Sequence, residues 1–483
     1  MRRVMLASLV GSAVALVAVA GYAAADVLDV APGILTLDRP AAAPTPTVSG
    51  TPSPVLLPQP TATVDPLLTD TGAAAPVPTR AGLRQALTTA SDDPGLRQGT
   101  GISVRDGITG EELWALGAAT PRVPASTQKL LAALAVADGL DLTERMTTSV
   151  VALPASADVV LVVGGDTLLA PGAGDPEVVA GRAGLADLAA QVAASLAPTG
   201  RTTVRLRLDL THAPGPRYPA TWNPHDVRDG FTQAVVMTGL ATQLPRALHP
   251  SPLRPEKEVA DALVARLAAR GITATLRPER TWSTAAPAGA QVLGSVESAT
   301  YGEVLDFAID HSENALTENL TRQAAAASGR STTRQGDNAR FIRERLVAHD
   351  VPTAGLVITD ACGLSPGQQA AAATLSGVLA LAATGEVDEL RGVVASLPVS
   401  GLSGTMTRRF RSEATEDVVG VPRAKTGTLR AGSALAGTTV DADGRPLTYV
   451  LLAEGFPHNY GGTLRARAAL DRIVATLTRC GCR

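Results

Sequence analysis

The 483-residue sequence predicts a mixed α/β protein in which one domain is interrupted by another. Three observations predict it. Gly101-Ile-Ser-Val-Arg and Glu112-Leu-Trp-Ala-Leu read as two strands about an Asp106-Gly107 turn. Pro124-Ala-Ser-Thr-Gln-Lys-Leu-Leu-Ala-Ala-Leu-Ala-Val-Ala reads as a helix with apolar residues nearly all round, which places it inside a large core. From about Met146 to Val292 the texture changes, and helical and strand patterns of the first kind then resume from 293 to 479.

The elements follow in order. Arg2 and Arg3 precede an uncharged apolar run from Val4 to Ala25, the order of an export signal. Ala23-Ala24-Ala25 offers small residues for cleavage, yet the run also approaches the roughly 20 residues that span a bilayer. Residues 1–25 are therefore either a cleaved signal peptide or a membrane anchor, and both readings place the body outside the cytoplasm. Residues 26–80 hold eleven prolines between Pro32 and Pro78, mixed with Thr, Ala and Ser, and read as an extended linker. Folding is expected to begin near Ala81. Within the stretch 146–292, Val159 to Asp166 reads as a strand entering a turn, Ala183 to Leu196 as a helix, Val204 to Leu210 as a period-two strand, and Glu256 to Ala269 as an amphipathic helix. That stretch is expected to be one inserted α/β domain. Strand patterns at Ser433–Thr439 and Leu447–Ala453 and a helix from Gly462 to Leu477 close the chain, ahead of a tail at 480–483.

Composition excludes several classes. A net charge of −3 provides no electrostatic footprint for nucleic acid or an anionic membrane surface. Aromatics make up only 3% of residues against 45% hydrophobic, so the core must be built from small aliphatic side chains. Three cysteines (Cys362, Cys480 and Cys482) leave at least one thiol free in an exported protein. With no second Cys pair and no His-x-x-x-His, no metal site is expected, and no cofactor.

Only three lysines occur, Lys129, Lys257 and Lys425, against 39 arginines. Arginine suffices for surface charge but cannot lose its proton, whereas a desolvated lysine can. Ser126-Thr-Gln-Lys129 therefore suggests a nucleophile and its base, with Ser126 at the first turn of a helix and Lys129 one turn later. Lys425-Thr426-Gly427-Thr428 precedes a strand pattern; its hydroxyls and ammonium suit a carboxylate, and a glycine in an edge strand allows a substrate backbone to come close. Ser312-Glu313-Asn314 alone reads as a polar helical turn. Lys257, between Glu256 and Glu258, reads as a solvated charge, and Asp166 and Asp360 as turn or network residues. Gly363-Leu-Ser365-Pro-Gly367 mimics a nucleophile elbow, but Pro366 lacks the N–H that such an elbow uses.

Ser-x-x-Lys, Ser-x-Asn and Lys-Thr-Gly in this order are the motif set of penicillin-binding proteins and serine β-lactamases. Gly164-Gly-Asp-Thr-Leu-Leu, Asp360-Ala-Cys-Gly-Leu-Ser365 and Ser396-Leu-Pro-Val-Ser-Gly-Leu-Ser-Gly-Thr405, with the long insertion between the first two motifs, narrow the match. Over roughly residues 81 to 479 the chain resembles the D-alanyl-D-alanine carboxypeptidase/endopeptidases of the low-molecular-mass class C penicillin-binding proteins. The resemblance implies a five-stranded antiparallel sheet flanked by helices, formed from 81–145 and 293–479. It implies that Ser126 attacks the bond between two terminal D-alanines of a peptidoglycan stem peptide, and that Lys129 takes its proton. Ser312 would pass a proton to the leaving amine, Asn314 would hold the peptide amide, and Lys425, Thr426 and Thr428 the terminal carboxylate, with Gly427 between them. Ser126 and Thr428 N–H groups would form the oxyanion hole, and β-lactams would acylate Ser126. Two departures stand out: Glu313 where Asp or Asn is commoner, and Cys362 where Ser is usual. A β-lactamase or esterase on the same fold, and a non-catalytic wall-binding protein, are the alternatives.

Overall fold

The computed structural model describes residues 74–483 except 97, 98, 154, 155 and 431. The apolar run at 4–25 and the linker as far as 73 lie outside the described residues, within which no helix is long and apolar enough to cross a membrane. The described residues form ten strands: β1 (Gly99–Asp106), β2 (Glu112–Leu116), β3 (Arg145–Ala152), β4 (Asp158–Val162), β5 (Thr203–Asp209), β6 (Thr273–Leu276), β7 (Gln291–Thr300), β8 (Arg423–Leu429), β9 (Gly432–Val440) and β10 (Pro446–Glu454).

The first sheet has the order β2-β1-β10-β9-β8 with every pair antiparallel. It joins the two ends of the described chain: Ile102 of β1 pairs with Leu451 of β10. Strand period two sends alternate residues of β10 to opposite faces. Leu447, Tyr449 and Leu451 join Leu83 and Leu87 of the helix Arg80–Ser91 and Ile473 and Val474 of the helix Tyr460–Thr478. Val450 and Leu452 join the other core, where the helices Lys129–Gly139 and Ala372–Thr384 lie. The sheet is thus covered on both faces, and the helix from Lys129 is buried from Lys129 to Ala137 because no side of it is polar.

The second sheet runs β6-β5-β4-β3-β7. Its β4, β5 and β6 are parallel, and the helices Leu185–Leu196 and Pro255–Ala268 provide the crossovers that parallel pairing needs. These helices supply Leu188, Val192, Val259 and Leu263 to a core shared with Leu161, Leu206 and Leu208. β3 and β7, antiparallel to each other, are the strands by which the chain enters and leaves. β7 continues past Val292 to Thr300, where Thr300 and Glu303 form a capping box on the helix Tyr301–Asp310. Gly294, Ser295, Glu297 and Ser298 dilute its apolar pattern, which is why the sequence texture changes back before the strand ends.

Near the C-terminus, Cys480 and Cys482 are joined as a disulfide, and the carbonyl of Cys482 accepts from Thr79 N–H, 2.7 Å, at the start of the helix Arg80–Ser91. Cys362 is a free, buried thiol.

One buried ion pair ties the site to this frame. Arg409 is 2% exposed, and its Nε donates to both oxygens of Asp471 on the C-terminal helix, 3.0 Å each. It pins the segment that carries Thr405, a neighbour of the site described below. Removing one member of a buried pair strands the other charge. Asp471→Ala is expected to lower stability by about 3–5 kcal/mol, read as an earlier midpoint of urea unfolding.

Candidate active site

Ser126 lies in a 3-10 turn, Ala125–Gln128, which leads into the α-helix Lys129–Gly139. The single α-helix read from the sequence therefore begins as a tighter helix. Thr127 explains part of this: its N–H and Oγ1 both donate to Pro124 O, at 3.2 and 2.6 Å, closing a three-residue turn. In a 3-10 turn of about three residues, positions i and i+3 eclipse. Lys129 is thereby set over Ser126, with Nζ 3.1 Å from Oγ. Ala125, just before the serine, has φ +46°, a left-handed conformation that a non-glycine residue holds only when its surroundings impose it.

Lys129 has no exposed surface. Besides Ser126, its Nζ donates to Asn314 Oδ1 at 2.7 Å and to Cys362 O at 2.9 Å. Burial depresses its pKa below the ordinary lysine range, and the charges of Asp360, Glu313 and Glu318 oppose the shift in part. Glu313 is itself pushed up to about 7 by burial, against the pull of Lys129.

Ser312 sits between the helices Tyr301–Asp310 and Asn314–Ala327 at φ +58°, a second left-handed residue. Asn314 opens the second of these helices, and its Nδ2 donates to Phe231 O, 2.8 Å, from the segment between β5 and β6. The structure therefore brings Ser126 and Asn314 each into contact with Lys129, whereas it forms no hydrogen bond from the Ser312 hydroxyl to either lysine.

β8 forms the edge of the first sheet. Lys425 on it is fully buried, and its Nζ donates to Thr426 O at 3.0 Å. Its pKa is driven well down, first by burial and next by the charge of Lys129, with Asp310 opposing. Thr426 Oγ1 donates to Thr405 Oγ1 at 3.0 Å, and Thr428 is exposed. Gly427 also meets the Ser126 turn. A Cβ there would stand 2.8 Å from Pro124 O and 3.2 Å from Ala125 Cβ. The missing side chain lets the strand close on the Ser126 turn of this same chain.

Several neighbours were not singled out as site residues: Glu318, Asn338, Phe231, Thr405 and the carbonyl of Cys362. Cys362 and Thr405 lie in the stretches Asp360–Ser365 and Ser396–Thr405 that narrow the family match, Glu318 follows Asn314 by one helical turn, and Asn338 and Phe231 carry no local signal. Glu318, Asp360 and Cys362 place three ligand atoms within 4.8 Å of one another, a metal-like grouping, but the carboxylates already accept several N–H donors. Lys257 pairs with Asp261 on the surface, at 2.5 Å. Ser365, the elbow mimic, is buried and shares a hydrogen bond with Thr221.

This fold is that of the penicillin-binding proteins: it superposes on penicillin-binding protein 4 of Haemophilus influenzae with a TM-score of 0.62 at 18% identity, over 83% of this chain and 98% of that one. The chain belongs to the D-Ala-D-Ala carboxypeptidase 3 (S13) family, whose model matches residues 83–243 and 237–477. It is 34% identical to carboxypeptidase DacB of Mycolicibacterium smegmatis over 88% of this chain and 89% of that protein. It is 32% identical to carboxypeptidase Rv3627c of Mycobacterium tuberculosis over 84% and 86%. The protein is a serine-type D-Ala-D-Ala carboxypeptidase.

The glycine contact is testable. Gly427→Ala is expected to slow acylation on the order of tenfold or more by parting β8 from the Ser126 turn. Gly392→Ala, where a methyl meets nothing within 4 Å, leaves the rate unchanged; labelling kinetics with a fluorescent penicillin read both.

Proposed function

We propose that Ser126 is the nucleophile and Lys129 its base in acyl transfer from the terminal D-Ala-D-Ala of peptidoglycan stem peptides. The observation that carries this reading is the 3.1 Å contact between Lys129 Nζ and Ser126 Oγ in a site that hides the lysine from water. A buried ammonium is costly, so the lysine is driven to its neutral form. A neutral amine has two N–H groups and one lone pair. Asn314 Oδ1 and Cys362 O can only accept, so they take the N–H groups and leave the lone pair for the Ser126 proton. The freed alkoxide attacks the carbonyl carbon of the substrate, and the ammonium now held by Lys129 returns its proton towards the leaving D-alanine amine, with Ser312 as relay. Ser126 N–H, at a first turn that leaves donors unused, and Thr428 N–H stabilise the oxyanion. Lys425, Thr426 and Thr428 hold the terminal carboxylate, and Asn314 the peptide amide once its Nδ2 exchanges Phe231 O for substrate. Water then releases the acyl group. β-Lactams, as mimics of the same peptide, acylate Ser126, and D,D-crosslinks are a second substrate. The protein acts outside the cytoplasm, exported or anchored through residues 4–25.

The test is labelling of the full chain and of Ser126→Ala with a fluorescent penicillin. A stable adduct on wild type alone is expected. No adduct with the antibiotic intact would favour a non-catalytic wall-binding role, and rapid antibiotic loss without adduct a β-lactamase. Lys129→Arg keeps the charge but cannot give up its proton, so acylation is expected to vanish; normal labelling of that variant would overturn the base assignment. Acylation needs neutral Lys129, whose pKa is depressed, so the rate should rise with pH along a limb lying below the ordinary lysine range. A limb at the pKa of free lysine would contradict a desolvated base.

A further inference from the structure

Beneath Lys129 runs a turn, Asp360–Ser365, whose backbone is held by two carboxylates that are each 1% exposed. Glu318 Oε1 accepts the N–H groups of Ala361, 2.6 Å, and Cys362, 3.0 Å, while Oε2 accepts Asn338 Nδ2, 2.7 Å. Asp360 accepts the N–H groups of Gly363, 2.8 Å, and Ser365, 2.7 Å, together with Trp222 Nε1 and Gln368 Nε2, 2.9 Å each. The geometry of the peptide bond makes these contacts consequential. In a trans peptide the C=O of one residue points opposite to the N–H of the next. Gly363 N–H is tied to Asp360, so Cys362 O, in the same peptide plane, is turned the other way, to Lys129 Nζ at 2.9 Å. Glu318 fixes the preceding plane through Cys362 N–H. Both planes flanking Cys362 are thus locked. Gly363, at φ +85°, leaves no room for error: a Cβ there would lie 2.0 Å from Ala125 O, on the turn that carries Ser126.

We propose that Glu318 and Asp360 are positioning residues for the acylation step: by fixing the two peptide planes that flank Cys362, they together aim its carbonyl at one N–H of Lys129, so that the lone pair of the amine faces Ser126. The proposal rests on Lys129 as the base. The charged and titratable groups around Lys129 are Asp360, Glu313, Glu318, Cys362 and Lys425; around Glu318 they are Asp360, Arg322, Cys362 and Lys129. Burial and the charge of Asp360 push Glu318 up to about 7. Where it is ionised, it favours the ammonium of Lys129.

The test compares acylation by fluorescent penicillin across pH for wild type, Glu318→Gln and Glu318→Asp, with the labelled fraction at saturation measured alongside the rate. Glu318→Asp keeps the charge but withdraws its oxygens from the two amides; the plateau rate is expected to fall on the order of tenfold to a hundredfold with the acid limb in place. Glu318→Gln keeps one oxygen for the two amides but removes the charge and sets an NH2 against Asn338 Nδ2, so its limb moves to lower pH and its plateau falls by less than that of Glu318→Asp. A residue that only supports the fold would lower the labelled fraction and leave the rate of each labelled molecule intact. Plateau rates within about twofold of wild type in both variants, or a loss confined to the labelled fraction, would overturn the proposal. If Glu318→Gln does not fold, Glu318→Asp decides by its plateau. Absence of labelling in wild type would instead remove the reading of Ser126 and Lys129 on which this rests.

Discussion

A lysine amine taken out of water is the constraint around which this protein is arranged. An ammonium group prefers water by many kcal/mol over an apolar interior, and buried without compensation it sheds its proton. Lys129 is buried because the helix it opens is apolar on every side and lies in the core between the first sheet and the helices behind it. The same burial that builds the core thus lowers the pKa of this amine. Lys129 in turn helps lower the pKa of Lys425 on β8, after burial, because a neighbouring cation disfavours its charge.

The first sheet explains how these parts meet. β8 is an edge strand, so one of its sides is free of a neighbouring strand, and Gly427 lets it close on the Ser126 turn. Thr405 steadies Thr426 from a segment that Arg409 anchors to the C-terminal helix. Two left-handed residues, Ala125 and Ser312, stand beside the reacting groups. Such strain persists only where surrounding packing over-determines the backbone, and here the two motifs on either side are held by helices in a common core.

The segment between β5 and β6 contributes as well. Phe231 O reaches Asn314, Trp222 Nε1 reaches Asp360, and Thr221 reaches Ser365. Trp222 and Val235 pack with Ala315 and Cys362 in a small core of their own. The segment between β5 and β6 is therefore bound to the surroundings of Lys129 through a polar network and a shared apolar contact.

The sequence by itself determined which candidate residues stand in motifs and in what order. Ser126, Lys129, Asn314 and Lys425 were legible because the lysines are scarce and the motifs have local spacing, and β1, β2, β5 and the C-terminal helix because their periodicity is local too. Gly427 was visible, but its reason was not, since the contact it relieves lies on a turn some three hundred residues earlier. What only the tertiary structure decided was direction: which atoms the lysine faces, which peptide plane turns its carbonyl inward, and that Asp360 holds that plane while Glu318 holds the one before it. Hydrogen-bond direction between distant segments depends on how two sheets and their helices pack, and a carbonyl looks alike at every position of a sequence. The physical reason is that residue identity supplies a donor or an acceptor, whereas orientation and desolvation, which set what that group does, belong to the assembled fold.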